Sequence, residues 1–316
     1  MSVILISTGP VPEHAAPGHP ERPDRVAAIL EHIAGAEDLA SLPRLEPAEA
    51  DAAAIELVHT PAHATAVLAM AQRGGGWFDG DTFCGPGSHA AALRSVGAAL
   101  AAVDAVCDGR SDHAFSISRP PGHHAGAETA MGFCIFNNVA VAARHAQRRG
   151  RKRIAIIDID VHHGNGTEAI FWDDRSVLYT SLHQFPLYPG TGHASAHGGP
   201  EALGLTINVP LPSGTTGDEW LARFESRVLP AITGFQPELV LVSAGFDAHA
   251  ADPLATLQLS AATYAALATR VRNLCAEMGT GSVWVLEGGY DLEALGESVA
   301  ATLRALVNGG GGPVPG

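Results

Sequence analysis

Cysteine is scarce in this 316-residue chain. Its four residues, Cys84, Cys107, Cys134 and Cys275, are scattered and form no C-x-x-C pair. That spacing excludes a thiolate zinc knuckle or a redox motif, and predicts reduced, mostly buried thiols. Positive charge is also in short supply: 19 basic against 33 acidic side chains give a formal charge of −14. On average such a surface repels nucleic acid phosphates and anionic membranes, so no direct contact with either is expected, and a cationic small molecule or basic peptide suits it better. No apolar run reaches the roughly 20 residues that span a bilayer. The short stretch Val3–Ile6 has no basic segment before it, so no signal peptide is expected and the expected location is the cytoplasm. No internal repeat or linker-like shift in composition interrupts the chain, which predicts a single domain over 1–308 and a loose tail over 309–316.

What the sequence does contain is apolar material in short blocks. Hydrophobic residues make up 46% and charged residues 16%, enough for a sizeable core and against extended disorder. β-Branched runs at Val3–Ser7, Ala114–Ser118, Ile154–Asp160, Val177–Ser181, Leu205–Val209, Leu239–Ser243 and Val283–Leu286 read as buried strands. Ala- and Leu-rich stretches with helical spacing lie between them: Pro23–Ile33, Gly87–Val106, Asn138–Arg149, Asp218–Ile232, Ser260–Met278 and Leu292–Val307. Ser260 is placed to cap one of these helices and Gly150 to end another. The alternation predicts an α/β fold with a mostly parallel sheet covered by helices on both faces.

Polar residues cluster where four of these strands end. Arg119–Ala125, Asp158–Gly164, Gly245–Asp247 and Glu287–Tyr290 each follow a strand. The carboxyl ends of parallel strands converge on one edge, where ligand crevices form. Along Asp158–His162, side chains two apart on an extended strand share a face, which groups Asp158, Asp160 and His162 against apolar Ile159 and Val161. Carboxylates and an imidazole without a thiolate suit a catalytic zinc, Fe(II) or Mn(II) rather than a structural zinc. Strand capping or arginine pairing is the usual fate of a lone aspartate, but burying several acids in register without a cation is costly. His123 and His124 sit in a turn stiffened by Pro120 and Pro121; beside a metal they could serve as base and acid. Tyr290 follows two glycines that allow a sharp turn, and its phenol could donate to a developing oxyanion. Two other signals read as bland. Arg148–Arg153 lies between a helix end and a strand, where basic residues suit the helix dipole, and Gly74–Gly76 lacks the setting and ending of a phosphate loop.

Taken in order, Arg119–Ala125, Gly132–Cys134, Asn137-Asn138, Asp158–Gly166, Pro189–Gly192, Gly245–Asp247, Asp252–Leu254 and Glu287–Tyr290 resemble the histone deacetylase family. The likeness is to its class II branch and to the related bacterial deacetylases and acetylpolyamine amidohydrolases, and runs from about His19 to Tyr290. The resemblance implies the arginase/deacetylase fold, a three-layer α/β/α sandwich with a central mostly parallel sheet. It implies a zinc-dependent deacetylase, with Fe2+ as another metal choice and potassium beside the zinc, acting on an acetylated lysine peptide or an acetylated polyamine. Asp160, His162 and Asp247 then match the zinc ligands, and His124 the general base. His123 matches its electrostatic partner, bonded to Asp158, and Tyr290 the residue that polarises the acetyl carbonyl. Phe133, Tyr188 and Leu254 match tunnel walls, Gly132 its floor, Arg25 an arginine behind the site and Asp81 a rim carboxylate. Asp158, Asp160, His162, Ser181 and Leu182 match the potassium site. Asn165 stands where class I enzymes carry an aspartate, so His124 should lack a negative partner and its pKa should be less elevated.

Two other functions share some of these features. A binuclear manganese ureohydrolase shares the implied fold but needs extra aspartates, and Val161-His162-His163-Gly164 lacks one two residues after the first histidine. A catalytically idle acyl-lysine reader would need neither His124 nor Tyr290. Within the deacetylase reading, Glu13 is a second candidate rim acid that could meet a distal ammonium. Oligomer formation is left open by the sequence.

Overall fold

Alternation of side chains decides which layer each strand serves. Val3 and Leu5 join one buried cluster while Ile4 and Ile6 join the other, and Val240 and Val242 are divided from Leu239 and Leu241 in the same way. A strand apolar on both faces must be covered on both, which is the situation of a parallel sheet between helical layers. The computed structural model describes residues 1–307; the tail expected over 309–316 lies outside the described residues.

The strands are β1 (Val3–Ser7), β2 (Arg44–Leu45), β3 (Gly76–Trp77), β4 (Phe83–Cys84), β5 (His113–Ile117), β6 (Ile154–Asp158), β7 (Val177–Gln184), β8 (Thr206–Leu211), β9 (Leu239–Ala244) and β10 (Ser282–Leu286). Eight of them form one sheet in the order β2-β1-β5-β10-β9-β6-β7-β8, and every neighbouring pair in it is parallel. β3 and β4 make a separate antiparallel hairpin. Helices Ser88–Cys107 and Asn138–Arg148 cover one face through Ala99, Val103, Val139 and Ala143. Helices Asp24–Gly35, Ala261–Met278 and Leu292–Val307 cover the other through Ile29, Tyr264, Leu267, Leu295 and Val299. The result is the three-layer α/β/α sandwich. Its four site-bearing strands, β5, β10, β9 and β6, are adjacent in the middle of the sheet, so their carboxyl ends meet.

Several local expectations are corrected. β6 ends at Asp158, so Asp160 and His162 lie in the loop beyond the strand, although Ile159 and Val161 remain fully buried between them. The stretch Asp218–Ile232 is not one regular helix: it runs as α-helix Gly217–Arg223, a π-turn at Phe224–Val228 and α-helix Leu229–Phe235. Helix Pro61–Gln72 is new to the reading. Its Ala-rich sequence shows no apolar stripe, and its signals were the cap Thr60, whose Oγ1 accepts from the His63 N–H, and Pro61 in the first turn. Gly150 does follow its helix, with φ of 91°.

Trp284 is fully buried on β10 and stacks on Phe115, which in turn stacks on Phe246. Replacing Trp284 by Ala should lower unfolding free energy by about 3–5 kcal/mol. Urea unfolding measures this, and a loss under about 1 kcal/mol would show that the sheet does not depend on this stack.

Candidate metal centre and pocket

Two glycines let the site close. A Cβ on Gly245 would lie 2.2 Å from Asp160 Oδ2, and one on Gly288 would lie 2.1 Å from Asp247 Oδ2. Backbone therefore presses directly on both carboxylates. Asp160 Oδ2 accepts the Gly288 N–H at 2.8 Å and Oδ1 the His162 N–H at 2.9 Å, while Asp247 Oδ1 accepts the Val161 N–H at 2.8 Å. His162 Nδ1 lies 3.1 Å from an oxygen of each aspartate.

Asp160, His162 and Asp247 each offer one ligand atom, all within 4.8 Å of one another. Both carboxylates are buried, and no lysine or arginine pairs with either among the described residues. Such a set fits a divalent cation with N and O preference and leaves positions open for substrate. A proton competes for the same place. Burial opposes a charged imidazole, but Asp160 and Asp247 push His162 up to about 10. Burial also raises the Asp247 carboxyl, with the Asp160 charge adding to it, and the same burial of Asp160 is outweighed by His123 and His162, which hold it below the usual range. A second close set, His123, Cys134 and Glu287, fits less well. Its thiol is pushed up by burial and donates to the Gly132 carbonyl at 3.3 Å, and its carboxylate takes two backbone N–H groups.

Asp158 stands apart from the three donors. Its Oδ2 meets His123 Nδ1 at 3.1 Å and the Tyr179 hydroxyl at 3.2 Å, and its Oδ1 accepts the Asp160 N–H. The rings of His123 and His124 lie 4.0 Å apart, and His124 Nδ1 meets Asn165 Oδ1 at 2.8 Å. Environment divides the two imidazoles. Burial disfavours charge on His123, but Asp160 and Asp158 hold its pKa well above the usual value. Burial together with the charges of His123 and His162 holds His124 well below it. With Asn165 accepting from Nδ1–H, His124 presents the Nε2 lone pair, the form a base requires.

The pocket beside these groups has a volume of about 230 Å³ and is lined by, among others, Asp81, Gly132, Phe133, Tyr188, Leu254 and Tyr290. Tyr188 stands edge-on to His124 at 5.2 Å and Phe133 edge-on to Tyr290 at 5.8 Å. Burial pushes the Tyr290 phenol well above its ordinary pKa despite the opposing effect of Arg25, so it remains a donor at neutral pH. Arg25 is outside the pocket wall. It lies behind Tyr290, its guanidinium 4.9 Å from the ring centre, and its Nε donates to the Gly289 carbonyl at 2.6 Å. Ser181 sits beside Asp158 in register across β6 and β7, with Leu182 next to it, both buried.

Glu13 is the clear displacement. It does not line the pocket and is ion-paired with Arg94, so it is not positioned to meet a substrate there. Leu187 lines the pocket without having been singled out from sequence, and Pro121 and Gly288, read there only as turn residues, line it too. Leu187 adjoins Tyr188 in a proline-flanked loop, where no periodicity marks which side chain turns inward.

Residues 19–306 match the histone deacetylase domain family. A probable deacetylase of Methanothermobacter thermautotrophicus is 43% identical over 310 residues, covering 96% of this chain and 90% of that protein. Histone deacetylase 14, chloroplastic, of Arabidopsis thaliana is 46% identical over 235 residues, covering 72% of this chain and 56% of its own length, so the match takes in little more than half of that relative. The crystal structure of the HDA15 HD domain superposes with a TM-score of 0.92 at 36% identity, covering 97% of this chain and 89% of that one.

Because the His162 proton must leave before a cation can enter, metal affinity should rise with pH by about tenfold per unit between about pH 6 and 8. Competition titration with a metal indicator measures this. A pH-independent affinity would mean that His162 is not a ligand.

Proposed function

The chain belongs to the histone deacetylase family, and from that premise we propose that it is a zinc-dependent deacetylase hydrolysing the acetamide of an acetylated lysine peptide or acetylated polyamine to free amine and acetate. One observation carries the reading. The pocket is lined by His162, the imidazole of a carboxylate–imidazole–carboxylate donor set, together with a neutral imidazole, His124, and a protonated phenol, Tyr290.

Asp160, His162 and Asp247 would hold the zinc, with Fe2+ suited to the same donors. When bound, the metal supplies Lewis acidity, lowering the pKa of water and polarising a carbonyl. The protein's own groups do the rest. Phe133 and Tyr188 give the alkyl chain apolar walls and leave the acetamide at the pocket floor. His124 Nε2 accepts a proton from water as its oxygen attacks the carbonyl carbon, and the Tyr290 hydroxyl donates to the oxygen that gains charge. His123, held protonated against Asp158, stabilises that charge electrostatically. Proton return from the imidazole pair to the nitrogen lets the C–N bond break, leaving amine and acetate. Potassium beside Asp158, Ser181 and Leu182 belongs to the same proposal.

Both substrate classes present an alkyl chain ending in acetamide. The ion pair of Glu13 with Arg94 removes one basis for favouring a polyamine and leaves Asp81 as the candidate rim carboxylate that lines the pocket.

Purified protein incubated with an acetyl-lysine peptide and with acetylated putrescine should release acetate from at least one of them, and chelation should abolish the release. No chelator-sensitive acetate from any acyl amine would refute the reading. Replacing Tyr290 by Phe should reduce kcat by about 100- to 1,000-fold with bound metal unchanged; an unchanged kcat would remove the phenol from the chemistry.

A further inference from the structure

Glu287 directly follows β10 and is fully buried, yet it does not line the pocket. Its Oε2 accepts the N–H of Gly122 at 2.6 Å and of His123 at 3.1 Å. Its side chain thereby holds the loop that carries both imidazoles. Its main chain belongs to the loop that carries the phenol, and that loop is fixed in turn. The Glu287 carbonyl accepts from Arg25, the Gly288 N–H is on Asp160, the Gly289 carbonyl is on Arg25 Nε, and the Tyr290 N–H donates to Asp252 Oδ2 at 2.7 Å. One residue therefore bridges the proton-transfer pair and the oxyanion donor.

The remaining oxygen, Oε1, is buried and has no hydrogen-bond partner among the described residues. Glu287 is tied to the base loop through Oε2. It is a sound choice for placement, since one oxygen gathers two adjacent N–H groups of the base loop. Proton transfer and oxyanion stabilisation both depend on sub-ångström placement, and a misplacement of about 1 Å can cost about 100-fold in rate.

We infer that Glu287 is a positioning residue for the amide hydrolysis proposed above: it sets the separation between the His123–His124 pair and the Tyr290 phenol. The inference rests on that reading for its kinetic consequence, but its geometric content stands apart from activity.

The test compares Glu287→Ala, Glu287→Gln and Glu287→Asp in the 316-residue chain loaded with zinc. Glu287→Ala should lower kcat by about 100-fold with KM and zinc content unchanged. Glu287→Gln keeps an oxygen for both N–H groups and should recover most of that loss. In combination with Tyr290→Phe, the Ala variant should add little further loss, because both changes act on one arrangement. A purely structural role would instead lower Tm, leave kcat near native and give no rescue by Gln. Should the Ala variant fail to fold, Glu287→Asp, one methylene too short to keep both bonds, should show the same kcat-only loss. Native kcat in the folded Ala or Asp variant, equal losses in Ala and Gln, or multiplicative losses with Tyr290→Phe would each overturn the inference. Crystal structures decide the geometry independently: residues 119–124 should shift relative to 287–290 in the Ala or Asp variant and not in the Gln variant. No shift overturns the inference whatever the activity, whereas a native protein that releases no acetate overturns only the deacetylase reading.

Discussion

Two ionisable carboxylates, Asp160 and Asp247, are buried within reach of one imidazole nitrogen at the end of an apolar sheet. Desolvation makes that arrangement unfavourable unless positive charge sits among them. Much of the surrounding structure answers this demand. Backbone N–H groups of Val161, His162 and Gly288 point at the carboxylates, and Gly245 and Gly288 have no side chain to keep that backbone away. His162 takes up a proton readily when nothing else supplies the charge. A divalent cation satisfies the same demand with more charge and with ligand positions to spare.

The topology delivers the remaining groups. β5, β10, β9 and β6 are consecutive in the sheet and point the same way, so residues far apart in the chain arrive at one edge without long excursions. Within a few ångströms the environment then separates two adjacent histidines. His123 faces Asp158 and Asp160 and is held cationic, while His124 faces an uncharged Asn165 and other imidazoles and is held neutral. Pairs of titratable groups whose surroundings drive their pKa values apart are what acid–base chemistry at neutral pH requires. Behind them Arg119 binds Glu21 through two nitrogens, at 2.7 and 2.6 Å, all within the core. That pair ties the N-terminal loop to the histidine turn.

Much of this was legible in the residues themselves. The β-branched runs marked the strands because a doubly covered sheet demands them, and Asp160, His162 and Asp247 stood out as polar residues at strand ends. What was not legible depended on long-range geometry. The strand ends at Asp158 rather than at Asp160 because the chain must turn to bring His162 between two aspartates, which local alternation cannot reveal. Glu13 offered a carboxylate of the right kind, but its partner Arg94 lies on a helix 81 positions away in the sequence. Leu187 and the N-terminal helix Pro61–Gln72 carried only weak patterns, a single apolar residue in a loop and an Ala-rich stretch without a stripe. Glu287 was visible as part of a motif, whereas its bridging bonds to Gly122 and His123 required the fold.

X-ray data collected on crystals of the zinc-loaded protein above and below the zinc absorption edge would test the central claim most directly. The expected result is a single anomalous peak bounded by His162 Nδ1 and by oxygens of Asp160 and Asp247, at about 2.0–2.2 Å from each. No peak among these three residues, or a peak instead among His123, Cys134 and Glu287, would contradict it.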